Sequence, residues 1–391
     1  MSNFFSYFLL TTTLTISLEK GSALQRLRVY YQWDILDYTY STLEERVDAI
    51  YAKKFVPENN LPFGIEVWKD KIFITVPRWR EGVPATLNYV TINDFMQERY
   101  KSPALTPYPS WKANEAGNCR EGLTTVHRIR KDRCNRLWVL DTGTFGLGNN
   151  TRHLCPYTLN VIDLNTDEIV HIGKNCEDVF AYMSDELGYG LIAYSWEKDT
   201  SWRFSHPFFS PDPIGGDFTI DGFNFQWNTE GISSMVLSLP QKDGYRFLFF
   251  SPLASYREFA VSTKILRNET NVNNSYHDFI ALNDRGKNSH ITAKVMDDRG
   301  VEFFTLVDIN AVGCWYSRLT YSPNFLEVVH RDDKNMIYPS DIAIDNNRNL
   351  WVISDQLTNY LYKSLEFTHV NFRIFTAAID DLVRESLCGI Y

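Results

Sequence analysis

Three aspartates stand at the same point of three similar stretches of this chain, each close behind a short apolar run. They are Asp185, Asp308 and Asp355. If the stretches are equivalent repeats, the three carboxylates converge at one end of the fold, where they could hold a cation or a catecholamine. The alternative is that each aspartate caps a turn by accepting a hydrogen bond from its own backbone two residues on.

The geometry of an antiparallel hairpin adds further residues to this candidate site. The start of the first strand lies beside the end of the second strand, so Ser340 is expected near Asp355 and Leu357. His127 takes the place of Ser340 when the second repeat is laid on the sixth, and it could act as an acid or base near neutral pH. The alternative for His127 is a structural imidazole that is buried and hydrogen-bonded.

A repeating fold must position these residues, because six apolar runs of similar form recur along the chain. Each follows a turn-forming cluster with an aspartate and holds four or five apolar residues, which is typical of a buried strand after a tight turn. Recurrence about every 45–65 residues is typical of propeller blades of four strands. The sequence therefore predicts an all-β fold, a six-bladed β-propeller in a single domain. The runs are KIFITVPRW (71–79), RLWVLDTGT (136–144), VFAYMSDEL (179–187), RFLFFSPLA (246–254), EFFTLVDIN (302–310) and NLWVISDQL (349–357), and the aspartates before them are Asp70, Asp132, Asp178, Asp243, Asp297 and Asp345.

The third repeat is the shortest of the six. Its run begins at residue 179, close behind the run that begins at residue 136. The sequence between them leaves little room for a complete first strand of the third unit.

The N-terminus and the overall charge bear on the compartment and the partners. Residues 4–18 are apolar and are followed by Gly21-Ser22-Ala23, which predicts a secretory signal peptide over residues 1–23 and a propeller over residues 24–391. No later segment approaches the ~20 apolar residues of a membrane helix, so no membrane partner is expected. A net charge of −9 without a long basic run argues against nucleic acid.

Glycosylation acceptors and cysteines also indicate export. Acceptor motifs begin at Asn149, Asn268 and Asn273, all in polar stretches. The six cysteines match no zinc spacing, so three disulfides of open connectivity are expected and no metal. They are Cys119, Cys134, Cys155, Cys176, Cys314 and Cys388. Signatures of a serine-hydrolase elbow, a zinc protease and a phosphate loop are absent, and no cofactor is expected.

Long motifs rich in tryptophan and tyrosine extend over nearly all of the chain. They are PRWREGVPATLNY (77–89), LTPYPSW (105–111), RLWVLDTGTFGLGN (136–149), DELGYGLIAYSWEKDTSWRFSHPFF (185–209), DGYRFLFFSPLASYREFAVST (243–263), NSYHDFIALNDRGKNSH (274–290) and NAVGCWYS (310–317). With these motifs the chain, from about residue 28 to residue 390, resembles the insect Yellow proteins of the Yellow/major royal jelly protein family, and strings of this length are very specific.

The resemblance implies a six-bladed propeller, secretion and a role in melanin pigmentation of the cuticle. It also implies the disulfides Cys134–Cys176 and Cys314–Cys388, which leaves Cys119–Cys155 as the third pair. Salivary members of the family bind biogenic amines at the propeller centre with threonine, asparagine and phenylalanine. The matching residues here are Ser340, Asp355 and Leu357, so a carboxylate would face the ammonium group and an aromatic stacking surface is lost.

One departure from the family concerns the third repeat. Yellow proteins usually carry about twenty more residues between the equivalents of Glu168 and Gly173, and this segment would supply the strand that the third unit lacks.

Three functions are consistent with these observations. The first is a secreted protein of cuticle pigmentation that binds a catechol or indole amine at the channel mouth, and binding at that site would depend on Asp355. The second is an enzyme that converts dopachrome, with His127 and Asp355 as proton acceptor and donor. The third is a structural protein held by other components of the cuticle or extracellular matrix. Binding or a structural role is favoured over catalysis, because no nucleophile–base constellation is visible.

Overall fold

The computed structural model describes residues 26–93, 102–170, 178–226 and 230–389, so the predicted signal peptide lies outside the described residues. The described strands form blades round a central channel, and four short helices join them. The first strand, β1 (Arg28–Trp33), belongs to blade 6. Blade 1 holds β2 (Ile65–Trp68), β3 (Lys71–Thr75), β4 (Leu87–Thr91) and β5 (Thr106–Pro107). Blade 2 holds β6 (Val126–Lys131), β7 (Arg136–Asp141), β10 (Thr158–Asp163) and β11 (Glu168–Ile169), and β8 (Thr144–Phe145) and β9 (Arg152–His153) form a separate hairpin.

The second half of the chain continues the same arrangement. Blade 3 holds β12 (Phe180–Asp185), β13 (Gly190–Ser195) and β14 (Thr200–Ser205), and a hairpin of β15 (Asp217–Ile220) and β16 (Phe223–Gln226) follows; blade 4 holds β17 (Ile232–Leu237), β18 (Phe247–Pro252), β19 (Arg257–Ser262) and β20 (Phe279–Asp284); blade 5 holds β21 (Ile291–Met296), β22 (Val301–Leu306), β23 (Ala311–Tyr316) and β24 (Leu326–Arg331); blade 6 holds β25 (Pro339–Ile344), β26 (Asn349–Ser354) and β27 (Phe372–Ala378). The helices are α1 (Leu43–Tyr51), α2 (Thr263–Leu266), α3 (Leu357–Tyr362) and α4 (Ile379–Leu382).

Blade 6 closes the ring by joining strands from both ends of the chain. Strand β1 pairs antiparallel with β27, with Trp33 opposite Phe372 and Arg28 opposite Thr376. Tyr31 and Trp33 are only 1% and 2% exposed, because alternate residues of a strand face the same side. The predicted all-β, six-bladed propeller is confirmed, and the N-terminal strand β1 completes its last blade.

A repeated aspartate turn begins the second strand of several blades. In three turns the carboxylate accepts hydrogen bonds from the backbone N–H groups two and four residues on, and the third residue after the aspartate has positive φ. Such turns favour aspartate because its side chain bonds the nearby backbone. The turns begin at Asp132, Asp297 and Asp345, and their positive-φ residues are Asn135, Gly300 and Arg348.

The second strands of most blades are buried on both faces, since neighbouring blades pack against them. In β26, Leu350, Val352 and Ile353 are all 0% exposed. Burying a side chain of this size stabilises the fold by about 1.5–3 kcal/mol relative to leaving it in water. The apolar runs of the sequence are therefore the layers on which adjacent blades stack.

Blade 3 differs, because the first of its three described strands runs in the direction of a second strand. At the mouth, defined here as the channel end where first strands begin and second strands end, Gly231 N donates to Glu186 O at 2.9 Å and Leu253 N to Gly231 O at 3.0 Å. At the opposite end, Asp178 pairs with Arg267. Strand β12 therefore runs from that end up to the mouth.

The described residues place no strand between β12 and the channel. Strand β12 pairs with β13 alone, and all six of its side chains are only partly buried. This arrangement agrees with the short third repeat, which leaves little room for a first strand.

Disulfides fasten two peripheral regions. Cys119 bonds Cys155, and Cys314 of β23 bonds Cys388 near the C-terminal end of the described chain. These two expected pairs are confirmed. Cys134 is also disulfide-bonded, and its expected partner Cys176 lies outside the described residues. Among the described helices, none has the length and apolar character needed to cross a membrane.

Candidate functional site at the channel mouth

Ser340, Asp355 and Leu357 meet at the mouth, as the hairpin geometry predicts. Asp355 is 0% exposed, and its Oδ1 accepts a hydrogen bond from Leu357 N at 3.0 Å. Its Oδ2 has no hydrogen-bond partner among the described residues. Burial raises the pKa of Asp355 well above its ordinary value, and the Ser340 hydroxyl, the Leu357 amide and Arg128 oppose that rise. A buried carboxyl oxygen without a partner is costly, so the site favours a ligand that donates to it.

Arg128 of β6 supplies the positive charge beneath the mouth. Its Nη1 donates to Ser340 O at 2.9 Å and its Nη2 donates to Thr292 O at 2.9 Å, so one guanidinium bridges blades 2, 5 and 6. Arg128 Nη1 also lies 3.0 Å from Asp341 Oδ1, and Arg130 Nη2 donates to the same oxygen at 2.7 Å. These ion pairs link blades 2 and 6 across the channel, and the Arg128 guanidinium lies next to Ser340.

Three further residues at the mouth were not predicted from the sequence. Glu186 follows β12, Glu230 precedes β17, and Tyr338 precedes β25. The pKa of Glu186 is raised to about 8 by burial and then by the charge of Glu230, with Arg128 opposing. Burial also raises the pKa of Tyr338 well above its ordinary value, and the charges of Glu230, Asp355 and Glu186 add to that rise. Tyr338 therefore lies within the electrostatic reach of all three carboxyl groups.

Asp185 and Asp308 are each engaged with a partner away from Asp355. Arg203 Nη2 donates to Asp185 Oδ2 at 2.9 Å, and Gly188 N donates to Asp185 Oδ1 at 3.0 Å, so Asp185 caps its own turn. No contact among the described residues joins Asp185 or Asp308 to Asp355. The structure therefore places Asp355 with Ser340 and Leu357, while the expected convergence of three repeat aspartates does not appear in these contacts.

Asp308 instead forms a buried pair with His290. The two side chains are 3% and 0% exposed, with 2.7 Å between Asp308 Oδ2 and His290 Nδ1. The His290 ring stacks on Phe218 of the β15–β16 hairpin, with 4.1 Å between ring centroids. The hairpin also contacts α3. Asn359 of α3 donates a hydrogen bond to Asp221, and Tyr362 of α3 packs on Phe223. Asp308 thus helps to position the β15–β16 hairpin, which packs between His290 and α3.

His127 lies at the start of β6 in an aromatic setting. Trp79 Nε1 donates to His127 Nε2 at 3.0 Å, and the ring also packs edge-on against Phe63. Burial, and then the charge of Arg128, lowers the pKa of His127 to about 4. The imidazole is therefore neutral at pH 7, and because Nε2 accepts, the ring proton lies on Nδ1. This arrangement favours the structural interpretation of His127 over a role as proton acceptor.

The expected glycosylation and metal properties concern regions away from the mouth. Asn149, Asn268 and Asn273 are all exposed, as glycan attachment requires. Within the four described ranges, no cluster of three or more histidine, cysteine, aspartate or glutamate side chains is arranged to hold a metal ion.

Comparison with known proteins identifies close relatives over almost the whole chain. The sequence profile of the major royal jelly protein family matches residues 124–174 and 169–388. "Protein yellow" of Drosophila yakuba is 48% identical over 400 aligned positions, which take in 97% of this chain and 73% of the relative. "Protein yellow" of Drosophila melanogaster is 47% identical over 405 positions, with 98% and 74% covered. A solved streptogramin B lyase is 10% identical with a TM-score of 0.42, covering 82% of this chain and 93% of its own.

Proposed function

The chain belongs to the Yellow/major royal jelly protein family, and on this premise we propose that it is a secreted protein of cuticle melanin pigmentation that binds a catechol or indole amine at the channel mouth. The observation that carries the proposal is Asp355, a fully buried carboxyl group whose Oδ2 has no hydrogen-bond partner among the described residues. A protonated amine donates the charge-assisted hydrogen bond that this oxygen lacks.

The surroundings of Asp355 suit an aromatic amine. Leu357 is 8% exposed and belongs to the same apolar cluster as Tyr338, Phe218 and Ile220. An aromatic ring held at Asp355 would therefore meet apolar side chains from blade 6 and from the β15–β16 hairpin. The ammonium group and the ring are matched by different parts of one site.

Binding is favoured over dopachrome conversion because His127, the residue expected as proton acceptor, does not suit that role. His127 is neutral, and its acceptor nitrogen is already engaged by Trp79. A group whose pKa is about 4 takes a proton poorly at neutral pH, where catalytic bases work best with pKa values near 7. Replacing His127 with alanine is therefore expected to leave the rate of dopachrome decay in the presence of the protein unchanged.

A calorimetric titration of the secreted, glycosylated protein with dopamine at neutral pH tests the proposal. Saturable one-to-one binding is expected, with affinity at least tenfold lower in Asp355→Asn, since a hydrogen bond to a charged group contributes about 1.5–3 kcal/mol. Asp185→Asn is the matched control from the same repeat position and should bind like the parent protein. Equal affinity in Asp355→Asn would remove Asp355 from the site. Absence of binding by folded protein would favour the structural matrix role.

A further inference from the structure

Two glutamates from different blades are brought side by side at the mouth. Glu186 directly follows β12, and Gly231 N, next to Glu230, donates to Glu186 O at 2.9 Å. Position 231 must be glycine for this approach, because a Cβ there would lie 2.7 Å from Glu186 O and 2.6 Å from Phe209 O. The backbone therefore sets the spacing between the two glutamates.

The glutamate pair faces the same space as Asp355. Tyr338 is 8% exposed and interacts electrostatically with Glu186, Glu230 and Asp355, and Arg128 interacts with Glu186, Asp355 and Tyr338. Asp355 contributes a buried oxygen without a partner in the described chain. Tyr338 thus lies among three carboxyl groups, and the guanidinium that acts on two of them, Glu186 and Asp355, is also paired with Asp341. A further positive charge would be stabilised among these carboxyl groups.

We propose that Glu186 and Glu230 form the second half of the ammonium site and that a bound amine displaces one proton from the pair. This inference rests on the proposed function and names its specificity: the site selects cationic amines over neutral catechols. Before binding, the two carboxyl groups share a proton, as like charges held close together do. The ammonium group then lies against two carboxylates, and the displaced proton passes to solvent, so charge is balanced.

The charged groups around the glutamate pair bear on how many protons are released when an amine binds. Arg128 of blade 2 and Tyr338 and Asp355 of blade 6 face the glutamate pair. Asp185, the residue before Glu186, forms an ion pair with Arg203. Because the pKa of Glu186 lies at about 8 before binding, the pair holds its proton at pH 7 and release is visible there. Affinity for an amine should rise as pH increases from 6 to 8.

The test is calorimetry with dopamine and with catechol at pH 7.0, repeated in phosphate and in Tris, whose heats of ionisation differ. Dopamine is expected to release close to one proton per site, and catechol to release none. In Glu186→Gln, proton release on dopamine binding should vanish and affinity should fall about tenfold, while catechol binding is unchanged. Asp185→Asn, one residue away, should keep both the affinity and the proton release.

The outcomes separate this inference from the proposed function. Dopamine binding without proton release, or with release that persists in Glu186→Gln, overturns the role of the pair and leaves the binding function standing. No dopamine binding by folded protein overturns both. Gly231→Ala gives a second check, because displacing Glu186 should weaken dopamine more than catechol, and equal weakening would contradict a specific ammonium contact.

Discussion

Blade 6 and blade 3 present the same sequence pattern in opposite environments. Each has an apolar run that ends in serine and aspartate at the mouth, Ser354-Asp355 in blade 6 and Ser184-Asp185 in blade 3. Asp355 is fully buried beside β25, whereas the side chain of Asp185 is 39% exposed and paired with Arg203. The difference arises because β25 separates β26 from the channel, while the described residues place no strand inside β12.

The comparison shows that the apolar run alone does not bury the aspartate at its end. The first strand of the blade excludes water from the aspartate and supplies the neighbouring hydroxyl of Ser340. Both aspartates cap their own turns, but without that strand Asp185 stays partly exposed and the adjacent Glu186 lies at the mouth. The number of strands in a blade can therefore change which acidic residue lies at the mouth.

Truncating the second strands is expected to show the largest difference between the two blades. Ile353 of β26 is 0% exposed, and Met183 is its counterpart in the partly buried β12. Ile353→Ala should lower the free energy of unfolding by about 3–4 kcal/mol, and Met183→Ala by about 1 kcal/mol, because a cavity costs more where neighbours are packed on both faces. Chemical denaturation of both variants measures the difference. Equal losses would mean that β12 is as well packed as β26.

Removing the carboxylate that ties blade 6 to its neighbours should have a slightly smaller effect. Asp341 is 0% exposed and accepts hydrogen bonds from Arg130 and from Ile65 N, the latter at 3.0 Å. Asp341→Ala removes the carboxylate that the Arg128 and Arg130 guanidinium groups share and should cost about 3 kcal/mol. Asp185→Ala removes a half-exposed ion pair in blade 3 and should cost less than about 1 kcal/mol. Thermal unfolding of the pair tests this, and a cost below 1 kcal/mol for Asp341→Ala would contradict the structural role of the bridge.

The sequence predicts the repeat well because its signals are local. A tight aspartate turn such as that at Asp345 and the apolar strand after it are specified within about ten residues. Strand β1 could not be assigned to blade 6 in this way, because its partner lies at the other end of the chain. Glu186 and Glu230 were missed for a similar reason, since a long-range backbone hydrogen bond to Gly231 brings them together. The position of Arg128 likewise depends on packing across the channel.

The smallest expected effect concerns the first strands, where His127 of blade 2 takes the place that Ser340 has in blade 6. The pKa of His127 is lowered to about 4 in the folded protein, against about 6.5 in an unfolded chain. Between these values the unfolded state binds more protons, so stability is lost as pH falls from about 6.5 to 4 and levels off below. Partial exposure limits the loss to about 1 kcal/mol. Urea denaturation across this range should show a shallower pH dependence in His127→Gln than in the parent protein. Identical slopes in His127→Gln and the parent would mean that the imidazole is open to solvent, and a proton acceptor at the mouth would then have to be reconsidered.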